Sequence, residues 1–376
     1  MASELPSSVA VRASARSASA RRVADLIRSG ACKRIAFLTG AGVSVSAGIP
    51  DFRSPGGMYD TLKPELLTAA AEDRDAMRRD PTHVVSKAMF TRSAFPYLEL
   101  RRPFILGIAE RKWKATPCHW FMRLCYDQGL LVRVYTQNID GLDFQLGLPH
   151  ELLVPVHGSL GLIQCEACQA DYPGGLDAFL PQVRANIKDI YGVDPTAPAA
   201  STSILCPFCR QPAVKPATVL YGGAMPFTFF ERCSQDFPGD DGISAAGGLA
   251  PKGAEGSPAS GGPVDLVFVM GTSLTVGPAN LVPKFCRHGG RACVRVLINL
   301  DKVGDFQFGD PEDPATTDFF LQGSCDDGVK AIADALGWGA ALLNAGTASR
   351  DALGAGTPRT TPSSLAPRMT IDATDL

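Results

Sequence analysis

Apolar positions along the chain come in two kinds of run. Short unbroken ones, Arg34–Thr39, Leu131–Thr136, Leu152–Val156, Asp265–Met270 and Val294–Leu300, are aliphatic and β-branched. Runs of this kind predict strands buried on both faces of a parallel sheet. The second kind has helical spacing. Val23–Gly30 ends on a glycine cap, Pro117–Gly129 has Pro near its start and Gly at its end, and Asp326–Trp338 carries acids in its first turn. Met58–Trp113 reads as mostly helical but weakly periodic, broken by prolines at 64, 81, 96 and 103. Strands alternating with helices predict an α/β fold, doubly wound around a mostly parallel, Rossmann-like sheet. Small polar residues predict no regular structure for residues 1–22, for the Gly/Ser/Ala/Pro-rich stretch Phe237–Val264, or for residues 339–376.

Composition narrows the class without naming it. The chain has 376 residues, 45% of them apolar and 20% charged, which suits one large domain with a smaller one inserted, or two domains. A net charge of −2 argues against binding nucleic acid through bulk charge. No uninterrupted apolar run is long enough to cross a bilayer, so no membrane partner is expected. The cysteines number 11, and no secretory apolar region follows Met1. A reduced compartment, cytoplasmic or nuclear, is therefore expected. Arg12, Arg16, Arg21 and Arg22 in a Ser/Ala-rich start leave a mitochondrial or plastid transit peptide as the alternative. Cys32, Cys118, Cys125, Cys233, Cys286, Cys293 and Cys325 have mostly apolar neighbours and read as small buried hydrophobes.

The remaining cysteines form two C-x-x-C pairs, Cys165 with Cys168 and Cys206 with Cys209. Two such pairs place four thiolates around one tetrahedral Zn²⁺. Four sulfurs close the shell, so the ion is expected to be structural and to hold a module with little core of its own.

Polar residues cluster where the apolar runs end. Gly40-Ala41-Gly42 follows the first strand and a helix-starting Ser44 comes next, but Val45 stands where a dinucleotide turn usually has its third glycine. Gln137, Asn138 and Asp140 follow the second strand, and Asn and Asp would also suit a plain turn. His157 follows the third and is a candidate general base. His83, His119, His150 and His288 read as surface or packing residues. Gly271-Thr272-Ser273 follows the fourth strand and suits phosphate or ribose oxygens. Asn299 and Asp301 follow the fifth, where an acid can bind ribose hydroxyls.

Taken together these residues resemble the sirtuins, NAD-dependent protein deacylases. The resemblance rests on Gly40-Ala41-Gly42-Val43-Ser44, Gly48-Ile49-Pro50-Asp51-Phe52-Arg53, Thr136-Gln137-Asn138-Ile139-Asp140, His157-Gly158, the two cysteine pairs, Gly271-Thr272-Ser273 and Leu297-Ile298-Asn299. "GGMYD" and "CDDGV" resemble the eukaryotic class I deacetylases. The resemblance covers roughly Val23 to Trp338, with a helical module at 57–116 and a zinc-ribbon module at 158–218 inserted in the NAD-binding fold. It implies an enzyme that takes NAD and an acyl-lysine protein, with histones or tubulin-like proteins as candidates, to free lysine, nicotinamide and O-acyl-ADP-ribose. It further implies that Gly40, Ala41, Gly42 and Ser44 lie along the diphosphate. Asp51, Phe52 and Arg53 form a flap, with Phe52 shielding the ribose carbon from water. Gln137, Gly271, Thr272, Ser273, Asn299, Asp301 and Cys325 contact NAD. Asn138 holds the ribose, Ile139 and Asp140 hold the carboxamide, and His157 is the base.

Two departures from the family pattern stand out. In "VKPATVLYGGAMP", Ala217 replaces an Asp, Tyr221 takes a Phe position and Gly223 replaces a Glu. This segment pairs with the substrate peptide in the family, so Val219, Tyr221 and Gly222 are the expected peptide contacts. No Arg occurs between Ser54 and Asp73, the stretch that reads acidic acyl groups in sirtuins, which predicts neutral acyl groups, acetyl first. The competing functions are mono-ADP-ribosyl transfer from the same NAD site and an acyl-lysine- or NAD-binding scaffold. A dehydrogenase with a structural zinc fails to explain the Asp-Phe-Arg loop.

Overall fold

The computed structural model describes residues 8–49, 56–238, 262–287 and 293–352. Six parallel strands form the main sheet in the order β3-β2-β1-β6-β7-β8. They are β1 (Ile35–Thr39), β2 (Leu131–Thr136), β3 (Leu153–Pro155), β6 (Leu266–Met270), β7 (Val294–Asn299) and β8 (Asp318–Gln322). The chain runs outward from β1 through β2 to β3, then returns to the other side of β1 for β6, β7 and β8. The order therefore reverses between β1 and β6, which opens a crevice at the carboxyl ends of the strands. The five apolar runs read as strands all lie in this sheet. β8 was not among them, because its five residues follow a polar, proline-containing loop and offer no longer pattern.

The sheet is covered on both faces, and strand periodicity assigns each side chain to one of them. Ile35 and Phe37 of β1, with Leu266, Phe268 and Met270 of β6, enter the first core. Ala36, Leu38, Val267 and Val269 enter the opposite one. The first core is closed by helices α1 (Ser8–Arg28), α5 (Pro117–Asp127) and α9 (Cys325–Leu336), with α10 (Gly339–Ala352) outside them. Phe37 and Phe268 stack at 5.0 Å, and Phe121 stands edge-on to both. Truncating Phe121 to Ala would cost about 3–5 kcal/mol. The opposite core is closed by α7 (Phe227–Asp236) and α8 (Val282–Phe285). Here Arg133 of β2 makes a two-bond fork to Asp236 of α7 at 2.8 Å, and the Tyr135 hydroxyl donates to the same carboxylate at 2.6 Å. In the same way Arg295 of β7 donates to Asp318 of β8 at 2.9 and 2.7 Å.

Residues 8–22 and 339–352, expected from composition to be irregular, are helical; residues 1–7 and 353–376 lie outside the described residues. α1 starts at Ser8, and its Ala20, Val23 and Ala24 are buried in the sheet core; α10 continues the helical chain to Ala352. Small residues let these helices pack closely, so composition alone misread them. Phe237 and Val264, the expected limits of the irregular insertion, are also core residues, and the Val264 N–H donates to the Asp236 carbonyl at 3.0 Å. Residues 239–261, within that insertion, lie outside the described residues.

The smaller domain is one body rather than two. Strands β4 (Gly158–Cys165) and β5 (Val214–Thr218) pair antiparallel and pack with α6 (Gly175–Asn186). Helices α2 (Ala71–Arg79), α3 (Lys87–Arg92) and α4 (Phe95–Ala109) share their core, which joins Met77, Phe90 and Tyr97 to Leu160, Ile163 and Phe179. The expected helical and zinc modules are thus two halves of a single domain.

Candidate active site and metal centre

A cleft of about 830 Å³ opens at the carboxyl ends of the strands, between the sheet and the smaller domain. Its floor is backbone. The Gly42 N–H donates to the Gly271 carbonyl at 2.9 Å, and Gly271 has φ +61°. A Cβ on Gly42 would lie 2.5 Å from Gly271 Cα, and one on Gly40 would lie 2.6 Å from the Gly271 oxygen. The β1 and β6 turns can meet only if these three positions are glycine. The helix expected at Ser44 is replaced by two 3₁₀ turns, Ala41–Val43 and Val45–Ala47, with Ser44 between them.

Ser44 serves a different purpose. Its buried hydroxyl donates to Asp140 Oδ2 at 2.7 Å and accepts from Asn138 Nδ2 at 3.1 Å. Asn138 Nδ2 also donates to the Gly40 carbonyl at 3.0 Å, which ties the β2 turn to the β1 turn. Leu142 N–H caps Asp140 Oδ1 at 3.0 Å. Gln137 Nε2 donates to Thr272 Oγ1 at 2.9 Å, joining β2 to β6. Asn299 Nδ2 donates to the Asp301 carbonyl at 3.0 Å and to the Thr272 carbonyl at 3.3 Å. Ser273, Asp301 and Cys325 complete the far end of the cleft, together with Leu300, Val303, Met225 and Phe230, an apolar set that motif reading missed. Asp51, Phe52 and Arg53 lie outside the described residues.

His157 lines the cleft, and its Nδ1 is 2.9 Å from the Gln137 carbonyl. A carbonyl can only accept, so Nδ1 carries the proton and Nε2 is the basic nitrogen. Behind the turn that follows β2, His119, expected from the sequence to be a surface or packing residue, stands beside Asp143. His119 Nε2 and Asp143 Oδ1 are 3.9 Å apart, both atoms are fully buried, and neither has a hydrogen-bond partner among the described residues. His119 Nδ1 lies 3.2 Å from the Thr116 nitrogen and 2.8 Å from Thr116 Oγ1, whose own proton goes to the Val43 carbonyl at 2.8 Å. Burial holds the His119 imidazole below its usual range, against the pull of Asp140 and Asp326. Burial also pushes Asp143 up to about 6, and burial with Asp143 as neighbour raises Asp140.

The expected peptide strand is partly occupied by the chain itself. Val219 N–H donates to the His157 carbonyl at 2.9 Å. Tyr221 N–H donates to Val85 O at 3.1 Å and its carbonyl accepts from Lys87 N–H at 2.9 Å, so one edge of the segment is already paired. Val219, Tyr221 and Gly222 line the cleft. Gly222, at φ +74°, turns the chain so that Gly223 N–H reaches the Leu220 carbonyl at 2.8 Å. A Cβ on Gly223 would lie 2.8 Å from that oxygen. The glycine there belongs to a tight turn, and simply restoring a glutamate would strain it. Ala217 is buried in β5 and is not among the cleft-lining residues.

The four knuckle cysteines converge away from the cleft. Their sulfurs all lie within 4.8 Å of one another, with Cys165–Cys209 at 3.6 Å and Cys168–Cys206 at 3.8 Å. Zinc–sulfur bonds of about 2.3 Å make a tetrahedron with edges of about 3.8 Å, so the set fits one zinc ion. Each knuckle is the same turn. Gln169 and Arg210, which follow the second cysteines, have φ +60° and +61°, and their N–H groups return to the Cys165 and Cys206 carbonyls at 2.9 and 3.0 Å. Burial raises the Cys206 thiol, but the Cys209 and Phe208 N–H groups outweigh it and bring it down to about 7.

Comparison with known proteins gives one answer. Residues 40–248 match the Sir2 family. The chain is 32% identical over 331 residues to the NAD-dependent protein deacetylase sirtuin-2 of Danio rerio, covering 84% of this chain and 71% of that protein. It is 31% identical to the NAD-dependent protein deacetylase sirtuin-3 of Mus musculus, covering 86% and 77% respectively. A structure solved in work titled "Structural Basis for the Mechanism and Regulation of Sir2 Enzymes" superposes with a TM-score of 0.55 over 85% of this chain and 98% of that one; at 21% identity it supports the fold. With the two cysteine knuckles, the paired glycine turns and the His157 cleft in one fold, the chain belongs to the Sir2 family.

Proposed function

We propose that the protein is an NAD-dependent protein-lysine deacetylase, producing free lysine, nicotinamide and O-acyl-ADP-ribose. The observation that carries the reading is His157, held in one tautomer by the Gln137 carbonyl and facing the same cleft as the Gly40–Gly42 and Gly271 turns. NAD fits that cleft because the glycine turns form a floor that any side chain would fill, while Asn299 and Asp301 offer polar groups at its rim. When bound, NAD supplies a nicotinamide–ribose bond whose cleavage leaves an electron-poor ribose carbon for the acyl oxygen to attack.

The chain's own residues then have distinct tasks. Backbone at Gly40, Ala41, Gly42 and Gly271 approaches the diphosphate. Asn138 positions the ribose, and Ile139 and Asp140 hold the carboxamide, with Asp140 kept in place by Ser44 and Leu142. Nε2 of His157 accepts a proton from a ribose hydroxyl, which makes that oxygen the better nucleophile. Gln137, Thr272, Ser273, Asn299, Asp301 and Cys325 hold the rest of the dinucleotide, and Asp51, Phe52 and Arg53 exclude water. Cys165, Cys168, Cys206 and Cys209 hold one zinc ion that closes the knuckles and takes no part in the chemistry. Val219, Tyr221 and Gly222 meet the substrate peptide.

The test is mass spectrometry of an acetyl-lysine peptide incubated with NAD. Deacetylated peptide and O-acetyl-ADP-ribose should appear together and vanish in His157→Ala. ADP-ribosylated protein without the small-molecule ester would replace this reading with ADP-ribosyl transfer.

A further inference from the structure

The reaction proposed above leaves two buried titratable groups unused, His119 and Asp143, and neither lines the cleft. Both stand behind residues that do. His119 sits in the first turn of α5, inside a capping box whose Thr116 hydroxyl donates to the Val43 carbonyl at 2.8 Å. Val43 ends the 3₁₀ turn that follows Gly40, and Ser44 beside it holds Asp140. Asp143 belongs to the 3₁₀ turn Leu142–Leu146 that follows Asp140, and it accepts from the Thr136 hydroxyl at the end of β2. Thr136 also takes the Asn138 N–H at 3.2 Å. Thr136 and Asp143 therefore bracket Gln137, Asn138, Ile139 and Asp140.

The far end of the 3₁₀ turn is tied to α5 and the chain before it. Arg123 donates to the Leu146 carbonyl at 2.7 Å, and the Ala115 N–H donates to the Gln145 side chain at 3.0 Å. At the near end, next to Asp140, the facing atoms are His119 Nε2 and Asp143 Oδ1, 3.9 Å apart and without a hydrogen-bond partner among the described residues. One proton between them makes them attract. On Nε2 it makes the imidazole the donor, and on Oδ1 it makes the carboxyl the donor. Burial disfavours a charged imidazole, while the Asp140 and Asp326 carboxylates act the other way. In a dry interior, polar atoms left apart are costly, and a pair that closes is stronger than in water. The pair therefore pulls the turn after β2 toward α5, and through Thr116 and Val43 toward the turn after β1.

We propose that His119 and Asp143 are a positioning pair: their attraction sets the spacing of the β1 and β2 turns and so fixes Asp140 where it meets the nicotinamide carboxamide. The proposal rests on the deacylase reading, which gives Asp140 that task. The pair touches no substrate and acts through Asp140.

The experiment measures deacetylation of one acetyl-lysine peptide by the full-length, zinc-loaded chain, with nicotinamide added as product inhibitor. Asp143→Leu and His119→Leu should each raise the NAD KM and the nicotinamide inhibition constant about 10-fold, the scale of coupling between buried partners, with the peptide KM unchanged. The double variant should lose no more than either single one. Asp143→Asn keeps a polar group of the same shape facing His119 and should keep most of the wild-type constants. Unchanged constants in both single variants, or losses that multiply in the double one, would overturn the proposal and leave the deacetylase standing. Thermal denaturation separates placement from folding: constants that shift while Tm stays at or above wild type support the proposal, and constants that shift only where Tm falls overturn it. Where a leucine variant does not fold, His119→Ala or Asp143→Ala takes its place, with the same expected and overturning results. A wild type that makes no O-acetyl-ADP-ribose breaks the deacylase reading instead, and NAD binding by isothermal titration calorimetry then decides the pair: a Kd weakened in either single variant and no further in the double one supports it, and equal Kd values overturn it.

Discussion

The two walls of the cleft are held by different means. On the sheet side, the turns after β1, β2 and β6 lock to one another through Gly42 N–H to Gly271 O, Asn138 to Gly40 O and Gln137 to Thr272. Each link joins residues within a few positions of a strand end. On the side of the smaller domain, the wall combines α4, Tyr59 and the Val219–Gly223 turn, pieces far apart in sequence. They are fixed by a shared core, by Glu99 and Arg102, and by the two cysteine knuckles. The sheet wall is the side proposed above to hold the cofactor; the other wall, built from segments far apart in sequence, is where substrate contacts can change without disturbing the first.

The sharpest way to separate the walls is to remove the zinc. Structural zinc contributes on the order of 10 kcal/mol to folding in small modules. Cys168→Ser with Cys206→Ser should therefore lose zinc and collapse the smaller domain. Metal analysis and near-ultraviolet circular dichroism would read it, and a zinc-free variant with unchanged tertiary signal would show that the shared core suffices alone.

Next in size is His157→Ala, which should lower kcat by about 10²- to 10⁴-fold, the usual scale for a general base. A matched loss in NAD affinity instead would make the histidine a binding group of the sheet wall.

Smaller effects distinguish two glycines, one from each wall. Gly271→Ala places a Cβ 2.6 Å from Gly42 Cα at φ +61°, whereas Gly222→Ala meets no atom within 4 Å at φ +74°. The first should destabilise by several kcal/mol and weaken NAD binding; the second should cost about 1 kcal/mol from backbone strain alone. Thermal denaturation with and without NAD compares them directly, and equal shifts would mean that the turn contact on the sheet side yields easily.

An effect that depends on pH lies behind the sheet wall. Asp143 is raised to about 6 by burial. An unfolded aspartate titrates near 3.9, so the folded chain binds this proton more tightly. Its contribution favours folding at low pH and is lost as pH rises from about 4 through about 6, a swing of about 2–3 kcal/mol. Asp143→Asn should match wild type in melting temperature near pH 4 and exceed it by a few degrees above pH 6. A gap that does not grow with pH would show that His119 already neutralises the carboxylate.

Spacing in the sequence was enough to find the parallel strands, the two cysteine pairs and the polar residues at the strand ends, because each depends on a few adjacent residues. Ser44 was noticed for the wrong reason: its type suits a helix cap, but only the fold brings Asp140 and Asn138 to its hydroxyl. His119 and Asp143 carry no local signal at all, since they stand 24 positions apart with a strand between them and only burial brings them together. The ends misled for the opposite reason. Small polar-looking residues in α1 suggested a loose tail, yet their size lets the helix pack on the sheet.

By itself the sequence determined the strands of the sheet, the two cysteine pairs and the glycine turns at the strand ends, because strand periodicity, thiolate chemistry and backbone freedom at glycine are local properties. Only the tertiary structure decided that the helical and zinc modules are one domain, that Tyr221 spends its backbone on Val85 and Lys87, and that Arg101 stands in the cleft. Those facts depend on which distant surfaces exclude water together, and burial is a property of the whole packed chain, not of any segment within it.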